Sequence, residues 1–247
     1  MMKKIIKNSV LALFVILVII ACKKGKSDNP TNGKTTAVFN PGLTYGTMTD
    51  QDDNVYKTIT IGTQTWMAEN LRTTKYRDGS SIPNVTDNTD WTNLTTDAYC
   101  NYNNTKSADT IATYGRLYNW YAATDSRNIA PTGWHIPTDA EWTTLTTYLG
   151  GPGVAGGKMK ETGTTHWTSP NNGATNESGL TCLPSSSRCN SVGTFEYLGY
   201  YGYYWSSTQS QYDVGSAQER GLAYSDAGCL VGITYVTCGF AVRLVKD

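Results

Sequence analysis

The chain has 247 residues, with 20 basic and 20 acidic side chains, 24 glycines, 17 tyrosines and only two histidines. No basic stripe is present, which excludes the electrostatic footprint of a nucleic-acid binder. Two histidines exclude a three-histidine metal site, and a glycine-, tyrosine- and threonine-rich chain of low charge points to loops and strands rather than long helices.

Lys3, Lys4 and Lys7 precede an uncharged apolar run from Val10 to Ala21. That run is short for a membrane span and fits the middle of a secretory signal peptide. It ends Ile19-Ile20-Ala21-Cys22, which resembles the bacterial lipobox, cut before a lipidated cysteine. Residues 1–21 are therefore expected as a lipoprotein signal peptide, with acyl chains on Cys22 holding the protein to a membrane. The small polar residues that follow offer little to bury, so residues 22–49 are expected as a flexible tether. The expected location is the outer membrane of the cell envelope, with the basic Lys23, Lys24 and Lys26 leaving its periplasmic and surface faces both open.

Residues 50–247 have the size of one domain. Asp50, Asp52 and Asn54 resemble the first half of a calcium loop, but Val55 and Ile61 stand where such a loop needs glycine and glutamate, so the stretch reads as a solvated turn. Val55–Ile61 and Thr65–Leu71, separated by Gly62-Thr63-Gln64, read as a hairpin. Gly115–Ala123 has Leu117, Trp120 and Tyr121 at helical spacing. Gly133–Trp142 runs from a strand end into a helix whose cap is Thr138, with Glu141 three residues on. Trp142, Leu145 and Leu149 then form one stripe until Gly150-Gly151-Pro152 stops the helix.

Further on, the sequence offers paired readings. Asn171, Asn176 and Glu177 lie in a long loop rich in side-chain oxygens and could hold calcium or a sugar, or brace the loop against its own backbone. The aromatic run Tyr200 to Trp205 could form a sugar platform or a half-buried strand. Phe240, Val242 and Leu244 share one face of a closing strand, expected to pair near the first strands of the domain. Beyond Cys22, five cysteines remain, and export to an oxidising compartment favours disulfides. The expected pairs are local, Cys182 with Cys189 and Cys229 with Cys238, leaving Cys100 free.

Six blocks occur in order: Gln64–Leu71, Tyr114–Trp120, Gly133–Trp142, Asn176–Gly179, Tyr204–Thr208 and Gly239–Arg243. Together they resemble the Fibrobacter succinogenes major paralogous domain family of bacterial envelope lipoproteins and secreted proteins. The resemblance implies an α+β fold similar to C-type-lectin-like and formylglycine-generating-enzyme folds, loop-rich, with short helices packed on twisted antiparallel strands. It implies no particular activity. Relatives carry cysteines where this chain has Ala130 and Leu244, which implies that these two positions lie close together.

No nucleophile motif of the Gly-x-Ser-x-Gly, Ser-x-x-Lys or His-Glu-x-x-His kind is present. His135, inside Trp-His-Ile-Pro, reads as a satisfied core residue. The expected function is a lipid-anchored, non-catalytic envelope module binding a glycan or protein partner through its loops, with Asn171, Asn176, Glu177 and Trp205 as candidate ligand contacts. No cofactor is expected beyond calcium at that loop. The alternative is a carbohydrate-active enzyme built on carboxylates.

Overall fold

The computed structural model describes residues 33–247. The signal peptide and Cys22 lie outside the described residues. In chain order the strands and helices are β1 (Gly46–Thr49), β2 (Val55–Ile61), β3 (Gln64–Met67), α1 (Asn88–Thr92), β4 (Tyr99–Cys100), α2 (Ala108–Tyr114), β5 (Leu117–Tyr118) and α3 (Trp120–Ala123). They continue as β6 (Trp134–His135), α4 (Asp139–Tyr148), α5 (Pro152–Met159), β7 (Ser187–Arg188), β8 (Phe195–Glu196), β9 (Tyr201–Gln209), β10 (Ser216–Ala223), β11 (Leu230–Tyr235) and β12 (Val245–Lys246).

The fold is α+β: short helices beside antiparallel sheets, one ordered β1-β2-β3-β12-β6 and another β11-β10-β9. Among the described residues no helix is long and apolar enough to cross a membrane.

The β2–β3 hairpin forms as expected, with Gly62 at φ +60° in its turn. α4 carries the expected capping box: Glu141 N donates to the Thr138 side chain, and the Glu141 side chain accepts from Thr138 N. Trp142, Leu145 and Leu149 are buried, and Trp142 packs 4.6 Å from Trp66, ring centre to ring centre. The closing segment divides two cores by simple alternation. Phe240, Val242 and Leu244 enter one cluster, and Ala241 and Val245 enter the other. β12 pairs with both β3 and β6, so the last strand joins the first hairpin to the start of α4. Ala130 and Leu244 are fully buried in one cluster.

Four expectations change. First, residues 33–49 lie on the domain rather than forming tether. Met48 is buried and β1 pairs with β2. Upstream, Val38 N donates to Glu161 Oε1 (2.5 Å), Thr36 N donates to Thr113 Oγ1 (3.0 Å), and Asn40 Nδ2 donates to the Asn176 carbonyl (3.0 Å). Glu161 is buried, with His166 Nδ1 2.7 Å from its other oxygen and His166 Nε2 2.9 Å from Thr36 Oγ1. The docking partners lie more than 70 residues away, so local composition does not reveal them.

Second, the stretch read as one helix over 115–123 is split. Leu117–Tyr118 pair with Tyr99–Cys100, and Asn119 caps only the short α3. Third, the turn over 50–54 is solvated only at its tip, where Asp53 is exposed. Asp50 is buried and accepts from Asn54 N, Asn54 Nδ2 and the Tyr56 hydroxyl (2.5 Å).

Fourth, the five described cysteines are free thiols. The expected Cys182–Cys189 and Cys229–Cys238 bridges are not formed. Cys182 and Cys229 are buried in one core cluster, Cys238 in the other, and Cys189 is partly exposed, so nearness in sequence does not bring either pair together.

Among the described residues, three of the buried cations each donate to several loop carbonyls. Arg243 donates to Asn70 Oδ1 (2.6 Å) and to the carbonyls of Met67 (3.0 Å), Leu180 (2.9 Å) and Thr181 (3.1 Å). Arg188 lies between the rings of Trp91 and Phe195 and donates to the carbonyls of Val85, Thr86, Asp87 and Gly193. Lys160 Nζ donates to the carbonyls of Asn172, Ala223 and Asp226. Each cation donates to carbonyls of several loop segments at once and so ties those segments together.

Candidate functional site

The residues picked out by sequence do not converge. Asn171 and Asn176 are buried braces: Asn171 Nδ2 donates to the carbonyls of Glu161 and Gly163, and Asn176 holds Thr181 through its backbone N–H and hydroxyl. Glu177 is half-exposed and pairs with Lys158 at 2.7 Å. Trp205 is fully buried, its Nε1 donating to the Tyr118 carbonyl (2.8 Å). As a core residue it offers no face to a ligand. Among the described residues no group of three or more His, Cys, Asp or Glu could hold a metal ion.

His135 is satisfied, but at the surface rather than in the core. Its side chain is 35% exposed, with Nε2 2.8 Å from Glu141 and Nδ1 2.6 Å from Asp247. Partial burial pulls its pKa down, but the carboxylates of Asp247 and Glu141 outweigh that and raise it overall.

The strongest convergence of chemistry lies on the β9–β10–β11 sheet. Alternation along β9 turns Tyr201 and Tyr203 to the half-buried side, while Gly202 and Tyr204 turn inward. Tyr201 and Tyr203 stack at 5.8 Å and 17°, and Tyr203 and Phe240 at 5.0 Å and 18°. Tyr197, half-exposed, meets Tyr201 edge-on, so a row of rings runs from the surface to the core.

Beside this row is Glu219 of β10. It pairs with Gly232 of β11, and a Cβ on Gly232 would fall 1.9 Å from Glu219 Oε1, so the carboxylate lies in the space that a side chain at 232 would take. Glu219 Oε2 is buried and unpartnered. Burial pushes the Glu219 pKa up to about 7, against the opposing pull of Arg220. Burial, followed by the Glu219 charge, raises the Tyr203 hydroxyl to about 12.

Arg188, Glu196, Tyr203, Glu219 and Phe240 line one cleft of about 260 Å³. Sequence reading missed Glu219 and Glu196. The signal is faint: a glutamate beside an arginine in a strand, with the glycine that faces it on a neighbouring strand. Its meaning depends on a register that the sequence does not display.

A larger cleft of about 420 Å³ is lined by Lys57, Glu69 and Arg72, with Thr35 from the docked segment on its wall. Arg72 is buried over the Tyr56 ring and donates to the Val55 carbonyl (3.0 Å). This cleft has charge but no ring platform.

Residues 59–246 match the family model described as the Fibrobacter succinogenes major domain. The chain belongs to that family. The Fibrobacter succinogenes major domain here spans the last three residues of β2, the rest of the first sheet apart from β1, both cores except Met48 and Tyr56, and the whole of the ring-lined cleft. It leaves β1 and the docked 33–45 segment outside the match. No curated protein and no solved structure matches the chain.

Proposed function

We propose that this Fibrobacter succinogenes major domain protein is a lipid-anchored, non-catalytic module of the cell envelope that binds a glycan at the cleft of Tyr203 and Glu219. The observation that carries the reading is the near-parallel Tyr201–Tyr203–Phe240 stack beside an unpartnered carboxyl oxygen. Ring faces take the C–H face of a sugar, and a carboxyl near its titration point gives or accepts a hydrogen bond from sugar hydroxyls. A C-type-lectin-like arrangement is part of the same proposal. It rests on the family resemblance and on the antiparallel strands that carry the cleft.

On a glycan array, wild-type protein is expected to bind a defined glycan class, and Tyr203→Ala to lose roughly ten- to a hundredfold in affinity. Absence of any glycan ligand, with or without calcium, would leave a structural envelope role instead. The anchor reading rests on the Ile19-Ile20-Ala21-Cys22 motif. Metabolic labelling with a fatty-acid analogue is expected to mark wild type and not Cys22→Ala. Label retained in the variant would refute lipidation at Cys22.

One observation favours the enzymatic alternative. Glu219, with its pKa raised to about 7, shares the cleft with a second carboxylate, Glu196, as a glycoside hydrolase requires. Sugar release from chromogenic glycosides that disappears in Glu219→Gln would establish it over plain binding.

A further inference from the structure

The backbone around the cleft places two thiols opposite one another. Arg188 N donates to the Gly239 carbonyl (2.9 Å), and Gly239 N donates to the Arg188 carbonyl (3.0 Å). That reciprocal exchange defines an antiparallel, hydrogen-bonded pair. One step along each chain, the next pair is Cys189 with Cys238. Positions adjacent to a hydrogen-bonded pair form the non-hydrogen-bonded pair, with Cα atoms about 4.5 Å apart and side chains turned to the same face. A disulfide needs Cα atoms roughly 4.4–6.8 Å apart.

The local hydrogen bonds agree. Cys189 N donates to the Thr194 carbonyl, the Cys189 carbonyl accepts from Gly193 N, and Cys238 N donates to the Tyr235 carbonyl. Both residues therefore turn these backbone groups to their own loops, as a non-hydrogen-bonded pair requires. Cys238 Sγ lies 3.6 Å from Asn190 Oδ1, on the residue next to Cys189, and both cysteines line the cleft. Cys189 is partly exposed, whereas Cys100, Cys182 and Cys229 are buried.

We propose that Cys189 and Cys238 form a cross-strand disulfide once the chain meets an oxidising compartment. The Cys189 sulfur attacks an external disulfide and releases one thiol. The Cys238 thiolate then displaces the second thiol from the mixed disulfide. The two cysteine protons leave with the two released thiols, and the two electrons lost by the cysteines reduce the external disulfide. The bridge ties the β7–β8 hairpin to the closing segment across one wall of the cleft. It stands independently of what the cleft binds.

The test uses the full chain, folded and equilibrated with glutathione disulfide, then alkylated without reduction. Trypsin cuts after Arg188 and Arg220 and isolates Cys189, and chymotrypsin after Tyr235 separates Cys229 from Cys238. The expected result is a Cys189 peptide linked to a Cys238 peptide. Reduction is expected to lower the thermal midpoint of wild type by roughly 5–15 °C and to leave Cys189→Ser unchanged. Alkylation of both Cys189 and Cys238 in the unreduced protein, or linkage of either to Cys182 or Cys229, would overturn the proposal.

Discussion

Arg243→Ala is expected to lower the free energy of unfolding by about 3–5 kcal/mol, a large share of the roughly 5–15 kcal/mol that holds an ordinary domain together. Arg243 is 1% exposed, and its guanidinium joins β3, the 180–181 turn and the closing strand through Asn70, Met67, Leu180 and Thr181. Alanine would remove every one of those donors and leave three carbonyls and an amide oxygen buried without partners. Urea denaturation measures the loss, with the exposed Lys246→Ala as a control expected within about 0.5 kcal/mol of wild type. A loss below about 1 kcal/mol for Arg243→Ala would show that water or neighbouring groups replace the clamp.

Stability is expected to fall as pH rises from about 5 to 8, and Glu219→Gln to remove much of that fall. The Glu219 pKa stands at about 7 in the folded protein against an ordinary 4.5. Between those values the folded chain keeps a proton that the unfolded chain has released. The contribution is complete below pH 4.5 and is lost as pH rises through 7. The gap corresponds to about 3 kcal/mol. The raised pKa values of Glu69, where burial dominates, and of His135 act in the same direction, so the comparison with Glu219→Gln isolates the cleft carboxyl. Parallel pH profiles of the urea midpoint in wild type and variant would contradict this.

What could be read from the sequence was set by short-range physics. The Thr138–Glu141 capping box, the glycine turn of the β2–β3 hairpin and the alternation from Phe240 to Leu244 are each decided within a few residues. All three form as expected. The features that were missed depend on distant partners. The 33–45 segment is held by Glu161, Thr113 and Asn176. Helix α5 contains Gly156 and Gly157, poor helix formers, because the carbonyls of Gly228 and Gly173 pack where any Cβ would stand.

The candidate site was harder still. Aromatic alternation showed that β9 is amphipathic, but it could not separate the core ring of Trp205 from the cleft ring of Tyr203. Glu219 acquires its chemistry only when β11 brings Gly232 beside it.

The docked 33–45 segment also sets a distance. From the Cys22 anchor proposed above, about ten residues precede Gly33, the first described residue, and at most 3.6 Å per residue gives a span of roughly 35 Å. A tether reaching to residue 49 would have allowed about 95 Å by the same rule. Were Cys22 lipidated as proposed, the domain would stay in a layer near the bilayer, about two domain diameters deep including the domain itself. Glycans it meets there would be those within that layer, not those extending well beyond it.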